Sequence, residues 1–380
     1  MEKKMIKKLK RKKTIKFNKI YQGDVKTTLK KFPSNIVDCV VTSPPYWNLR
    51  DYGTGEWVGS KDPKCKHIKN QAFSSKTTIQ KNQKKVNKGR ELYYNHKCPK
   101  CGAVKKDLQI GAEKTPEEYV ETMVKLFRQI KRMLKDTGTV WLNLGDTYIG
   151  GGRGSGGKSK VQTGNKGSLI TTRSVVKNLP SKNLVGIPWR VALALQADGW
   201  ILRQEIIWNK PACMPESVTD RCTKSHEHIF LLTKNPNYYF DHKIIQEPSV
   251  DPASYKPCRP RNETAFDKSD PKRRLHSLDK NGNISFNGKI FETRNKRTVW
   301  NVSITNYKGA HFATFPPKLI EPCILAGCPK GGVVFDPFFG SGTSGSVAKK
   351  NNRKYLGVEL NPKYIKLAKQ RLKGTLPNLF

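Results

Sequence analysis

Apolar residues in this chain fall into short runs of two periods, separated by long polar stretches. Residues 36–41 (Ile-Val-Asp-Cys-Val-Val) form a β-branched run halted by Ser43-Pro44-Pro45, which predicts a buried strand. Thr115-Pro116-Glu117-Glu118 is a capping box with proline at the first helical position. Tyr119, Met123, Leu126, Phe127, Ile130, Met133 and Leu134 then recur at helical spacing, and Gly138 is the predicted stop before a strand over 140–144. A helix over 189–197 and strands over 201–208 and 228–233 follow. From Phe315 onward the pattern predicts a helix over 318–326, a strand over 333–336, a glycine-rich turn, a helix over 344–350, a strand over 355–359 and a helix over 362–372. Alternating strands and helices predict an α/β fold with a doubly wound, mostly parallel sheet. Cys39, Trp189 and Trp200 are read as core residues.

The polar stretches divide the chain. Residues 1–13 read as a basic disordered tail, and 14–60 as the part carrying the first strand. Residues 61–111 are an insertion: 61–110 hold fourteen Lys/Arg against three acids, with no apolar period. Residues 112–242 resume the alternating domain, interrupted at 150–168 by a loop with eight glycines. Residues 243–298 are polar and weakly patterned, and 299–380 complete the α/β domain.

Charge narrows the choice of partner. Seventy-two Lys+Arg against thirty Asp+Glu give +42 over 380 residues. Such an excess opposes compaction unless something anionic shares the surface. Nucleic acid is the first candidate, a membrane surface the second, and a lysine-biased surface with no partner the plain alternative. No run approaches the roughly 18–20 apolar residues of a membrane span. The basic N-terminus lacks the apolar segment of a secretory signal. Nine cysteines, most of them alone in apolar strings, point to a reducing compartment.

Two motifs carry chemistry. Asp336-Pro337-Phe338-Phe339-Gly340-Ser341-Gly342-Thr343 lies between a strand and a helix, where glycines let the backbone approach a ligand closely. Its acid suits a ligand ammonium. Glu359 ends the next strand, placed to bind two ribose hydroxyls. Together they describe a site for an adenosine-containing cofactor. Thr42-Ser43-Pro44-Pro45-Tyr46-Trp47 follows the first strand directly. Its prolines leave carbonyls as acceptors, Ser43 adds a hydroxyl, and Tyr46 and Trp47 offer faces for a planar base.

These motifs resemble those of the β-type DNA amino-methyltransferases, which act on exocyclic nitrogens of DNA bases. Thr42–Tyr46 is similar to that family's catalytic motif in its N4-cytosine form; adenine-N6 members more often have Asp where Ser43 stands. Asp336–Thr343 resembles the S-adenosylmethionine loop and Gly357-Val358-Glu359 its ribose-binding acid. Tyr21-Gln22-Gly23-Asp24 resembles the element against the cofactor adenine, and His311-Phe312 begins the one that cradles its methionine end. The resemblance covers about two-thirds of the chain. It implies a Rossmann-like methyltransferase fold, with the catalytic loop preceding the cofactor loop and target recognition between them. It also implies methyl transfer to N4 of cytosine in double-stranded DNA, by base flipping and direct in-line attack. Ser43, Pro44, Pro45 and Tyr46 would be catalytic. Asp24, His311, Phe312, Asp336, Phe338, Gly340, Ser341, Gly342, Thr343 and Glu359 would hold the cofactor. Alternatives are an N6-adenine enzyme, a non-catalytic zinc-dependent DNA-binding protein, and an RNA or protein methyltransferase. The expected setting is the cytoplasm of a bacterial, archaeal or phage-infected cell, with a companion restriction endonuclease as a possible partner.

The insertion carries its own constellation. Cys98-Pro-Lys-Cys101-Gly102 is a two-thiolate knuckle, and Cys65 with His67 supplies the other half of a tetrahedral structural zinc site, His96 competing for the fourth position. The insertion, the tail and the glycine-rich loop are expected DNA contacts; Arg259, Arg261, Arg273 and Arg274 in 243–298 are candidates to read guanine. His226 and His228, which flank Glu227, are read as structural. Asp146 is read as either a pocket residue or a turn cap.

Overall fold

A computed structural model of the chain describes residues 15–49, 55–72, 90–93, 97–106, 109–149, 179–249, 277–278, 284–285, 293–304 and 315–378. The tail 1–13, the loop 150–168, His96, His311, Phe312 and the four arginines between 259 and 274 lie outside the described residues.

The central feature is an eight-stranded sheet. Its strands are β1 (Lys19–Gln22), β2 (Val37–Thr42), β3 (Leu134–Leu144), β4 (Ile201–Asn209), β5 (His226–Thr233), β6 (Val299–Asn301), β7 (Val333–Asp336) and β8 (Lys354–Glu359). Their order in space is β1-β8-β7-β2-β3-β5-β4-β6. All neighbours pair in parallel except β5, which runs antiparallel to β3 and to β4. The mostly parallel sheet expected from the sequence is therefore present, with one reversed strand that periodicity alone does not reveal. Every residue of β2 is buried, as a continuous apolar run covered on both faces requires.

Helices lie on both faces. On one, α1 (Val25–Thr28), α2 (Pro116–Met133) and α3 (Ile187–Ala197) pack through Tyr119, Phe127, Ile130 and Val191 against Val40, Leu142 and Phe335. On the other, α4 (Pro317–Gly327) and α5 (Thr343–Lys350) pack through Ile320, Ile324 and Val347 against Cys39, Val41 and Trp141. α6 (Pro362–Lys373) contributes Ala368 and Leu372 to a smaller cluster around Phe339. Cys39 is fully buried packing, as read from the sequence, and its desolvated thiol is pushed far up from its ordinary range.

Two sequence readings of the fold need correction. The helix expected to run to Gly138 stops at Met133, where Leu134 turns extended with ψ 136°. Gly138 instead sits within β3, where a Cβ would come within 2.5 Å of the Leu134 side chain. Trp200 is core at 2% exposure, but Trp189 is 42% exposed: it stands at the edge of α3 with one ring edge toward Phe230. The short strands β1 and β6 were not predicted; four and three residues with mixed burial carry too little period.

The insertion stands apart from this sheet. Glu56–Val58 pairs with Val104–Lys106, and Ile68–Ala72 with Arg90–Tyr93, as two separate antiparallel ribbons. No helix among the described residues is long and apolar enough to cross a membrane.

Candidate active site

The cleft forms where β2 and β7 lie side by side at their carboxyl ends, the usual place for ligands in such sheets. Thr42, the last residue of β2, donates from Oγ1 to Asp336 Oδ1 at 2.7 Å, so two segments 294 residues apart in sequence are fastened at the mouth of the sheet. The chain leaves β2 into Ser43–Tyr46 and leaves β7 into the glycine turn. Ser43, Pro44, Pro45 and Tyr46 line one cleft together with Asp24, Asp336, Phe338, Gly340, Ser341, Thr343 and Glu359. Gly342 does not line it. It holds φ at +80° ahead of α5, and a Cβ there would come within 2.9 Å of Ala368.

Asp336 is buried and already accepts three bonds: from Thr42, from the Phe338 N–H at 3.0 Å, and from Ser344 Oγ at 2.7 Å. No cation pairs with it among the described residues. Burial pushes its carboxyl up to about 6, against the pull of those three donors. Glu359 accepts from the Gly340 N–H at 2.7 Å and the Asn361 N–H at 2.8 Å, bracing the turn and the start of α6; burial raises it as well. Gly357 makes room for the turn's Phe339, since a Cβ there would lie 2.2 Å from the ring. Asp24 caps α1 through the Thr27 N–H at 3.1 Å and faces the same cleft.

The catalytic segment is held from behind. Tyr119 Oη donates to the Pro45 carbonyl at 3.0 Å, and Pro44 and Pro45 both line the cleft. Trp47 is not a stacking wall, contrary to the sequence reading. It is 2% exposed, packs in the core and donates from Nε1 to the Glu113 carbonyl. Tyr46 does line the cleft, its ring so close to Gly145 that a Cβ there would come within 2.5 Å.

Residues that sequence reasoning did not single out complete the site. Asn143 of β3, Glu227 of β5 and Trp208 of β4 line the cleft. Tyr46 Oη donates to Glu227 Oε2 at 2.6 Å, and Asn143 Nδ2, sharing its two N–H bonds, lies 2.9 Å from Tyr46 Oη, 3.0 Å from Glu227 Oε2 and 3.3 Å from Ser43 Oγ. Ser43 Oγ donates to Tyr46 Oη at 3.2 Å. Lys210 forms an ion pair with Glu227 Oε1 and covers the Trp208 ring at 4.3 Å. Burial pushes the Glu227 carboxyl up, but the charge and hydrogen bond of Lys210, with the bonds from Tyr46 and Asn143, outweigh it and hold the group below its ordinary value. The signal available in the sequence was Glu227 itself, an acid at the start of an apolar strand.

Asp146 is a cap: it accepts from the N–H groups of Thr147, Gly186 and Ile187 at the start of α3. His228 pairs with Glu205 at 2.6 Å, and His226 lies against its ring. In the insertion, the ligand atoms of Cys65, His67, Cys98 and Cys101 all lie within 4.8 Å of one another. Cys65 and Cys98 sulfurs are 3.8 Å apart, and Cys101 Sγ is 3.4 Å from His67 Nδ1. Trp57 stacks on His67 at 4.4 Å, and Gly102 turns the knuckle at φ +74°.

A glycine-turn cleft and a Ser-Pro-Pro-Tyr segment at the ends of adjacent parallel strands bring together the two motifs whose resemblance to the DNA amino-methyltransferases the sequence carries. The family model described as DNA methylase, covering N6 and N4 enzymes, matches residues 37–370, and the chain belongs to that family. The type II methyltransferase M.SmaI of Serratia marcescens is 40% identical over 355 residues, 93% of this chain and 90% of that one. M.Cfr9I of Citrobacter freundii is 37% identical over 360 residues, 95% and 89% of the two chains. Among solved structures, PvuII DNA methyltransferase (cytosine-N4-specific) superposes with a TM-score of 0.52 at 16% identity, covering 97% of this chain and 89% of that one. At that identity the likeness is one of fold.

Proposed function

We propose that this chain methylates N4 of cytosine in double-stranded DNA, with S-adenosylmethionine as donor. The observation that carries the reading is the shared cleft: Ser43 and Pro44 line it together with Asp336, Gly340 and Glu359, with Thr42 and Asp336 hydrogen-bonded at its edge. The residues fit the cofactor chemically. Asp336 is a buried carboxylate with no cation among the described residues, and a cationic ligand completes it. Glu359 keeps lone pairs for vicinal hydroxyls, and the glycine turn admits close approach. Asp24, Phe338, Ser341 and Thr343 complete the walls. When bound, S-adenosylmethionine supplies an electrophilic methyl group on a sulfonium.

The chain's own residues do the rest. An extruded base presents its amino group to Ser43 Oγ and the Pro44 carbonyl, two acceptors for two N–H bonds. Those bonds fix the amino nitrogen's lone pair toward the cofactor side of the cleft. They also stabilise positive charge as it builds on that nitrogen. Ser43, where adenine enzymes of the family more often carry Asp, supports cytosine over adenine N6. Incubation with duplex DNA and labelled cofactor, followed by digestion and mass analysis, is expected to yield N4-methylcytosine. N6-methyladenine would move the assignment to the other base, and no methylated nucleoside would refute it.

Cys65, His67, Cys98 and Cys101 fit a structural zinc ion. Tetrahedral zinc–thiolate bonds of about 2.3 Å place ligand atoms roughly 3.8 Å apart, close to the separations of 3.8 and 3.4 Å in the cluster. Three thiols and one imidazole leave no position for substrate, so the role is to hold the insertion together. The basic surface suits DNA, and the names of the type II relatives support a role beside a companion restriction endonuclease in the cytoplasm.

A further inference from the structure

Behind Ser43 lies a chain of hydrogen bonds whose direction is fixed from its far end. Glu227 is pinned by the Lys210 ammonium, and an ionised carboxylate can only accept. Tyr46 Oη, 2.6 Å from Glu227 Oε2, must therefore donate its proton there. With that proton committed, Tyr46 faces Ser43 as an acceptor, so the Ser43 hydroxyl donates to it at 3.2 Å. Asn143 adds to the same arrangement. Its Nδ2 points at Glu227, Tyr46 and Ser43, and the opposite amide orientation would set Oδ1 against the carboxylate. Asn143 Oδ1 is left buried with no partner among the described residues. An unsatisfied buried acceptor is uncommon and calls for a reason. The reason here is that Glu227 dictates the amide's orientation.

Ser43 emerges with its proton spent on Tyr46 and one lone pair taken by Asn143. What it offers the cleft is its remaining lone pair. We propose that Glu227, Lys210, Tyr46 and Asn143 are positioning residues that set the hydrogen-bond polarity of the cleft, compelling Ser43 to act as an acceptor, so that the enzyme selects an amino base and rejects the corresponding keto base. The inference rests on the function proposed above and deepens it. Cytosine and uracil differ in shape by almost nothing at this position, and adenine and hypoxanthine likewise. A Ser43 oxygen that can only accept favours the N–H groups of the first of each pair and repels the carbonyl oxygen of the second.

The order of donors can be released by one substitution. In Glu227→Gln the amide oxygen stays with Lys210, which turns the amide N–H toward Tyr46 and Asn143. Asn143, no longer held by a carboxylate, can turn its Oδ1 toward that N–H, and Tyr46 and Ser43 lose the order of donors that Glu227 imposed. In Tyr46→Phe the Ser43 hydroxyl simply loses its acceptor and becomes free to donate.

The experiment uses full-length protein and a duplex carrying the sequence in which the methylated nucleoside is found. Its target position is either the amino base or its keto counterpart, and affinity is measured by fluorescence anisotropy with the cofactor product present. Wild type is expected to prefer the amino duplex about 10- to 100-fold. Tyr46→Phe should narrow that ratio by about tenfold, and Glu227→Gln should abolish it. A purely structural role would weaken both duplexes alike. Unaltered ratios in Tyr46→Phe, which keeps the ring and the Glu227–Lys210 pair, would overturn the proposal even if Glu227→Gln fails to fold. Methylation of DNA by a wild type that binds both duplexes equally would also overturn it while leaving the function standing. The absence of any methylated nucleoside would remove both.

Discussion

Asp336 faces opposing demands. The fold buries it and supplies only neutral donors, while the proposed ligand needs its negative charge. Its carboxyl is raised from the ordinary value of 3.8 to about 6, so between those two values the folded chain holds a proton that the unfolded chain releases. Its contribution to stability is thus present below the lower value and is lost as pH rises through about 6. A cationic ligand has the opposite preference and should bind more tightly as pH rises through the same window. Asp336→Asn is expected to flatten both dependences and to weaken cofactor binding by tenfold or more, of the order of one lost charge-assisted bond. Thermal melts and calorimetry between pH 4.5 and about 8 would check this; an unchanged cofactor affinity would argue against the cationic-ligand role. The sequence shows Asp336, Ser43 and Glu359 because each belongs to a local motif. It does not show Asn143, Glu227 or Lys210, whose meaning depends on which strand lies beside which.

Register explains how those residues meet. Thr42 of β2 pairs with Leu142 of β3, so Ser43 comes level with Asn143. Asn143 pairs across to Ile229 of β5, and Glu227, two residues away on the same face, reaches the same spot. Trp208 of β4 pairs with Glu227, two positions from Lys210. This depends on β5 running backwards between β3 and β4. The apolar run of β5 predicts a strand but carries no sign of its direction. The insertion behaves differently, because its Cys98–Cys101 knuckle is written in neighbouring residues and the candidate ligands are legible before any fold is known, with His67 and His96 both open for the fourth position. About one zinc per chain is expected by mass spectrometry under native conditions, falling well below that in Cys101→Ser. Proteolysis within 61–106 should accelerate in that variant while melting of the main sheet stays put, since neither ribbon joins the sheet. Metal-free wild-type protein would dismiss the site.

Over the whole molecule, the excess of 42 positive charges outweighs any single contact in setting how the chain meets DNA. Each phosphate neutralised releases condensed counterions, so affinity for any duplex should fall steeply with salt. Six to ten such contacts correspond to a loss of about 10³–10⁵ between roughly 50 and 200 mM. Titrations at several salt concentrations are expected to give a log–log slope steeper than about −5; a slope near zero would assign the charge to solubility alone.

The bond between Thr42 and Asp336 spans 294 residues, and β7 reaches its place between β8 and β2 only after all the intervening residues have been made. On the ribosome, at about 5–20 residues per second, that separation amounts to roughly 15–60 seconds. Throughout that interval the nascent chain carries β2 with an open edge where β7 will pair, a template for mispairing that bound chaperones would have to cover. The Ser43 side of the cleft is synthesised early, yet the cleft is complete only once β7 and the glycine turn have followed. Chains terminated before Asp336 therefore lack one side of the cleft altogether.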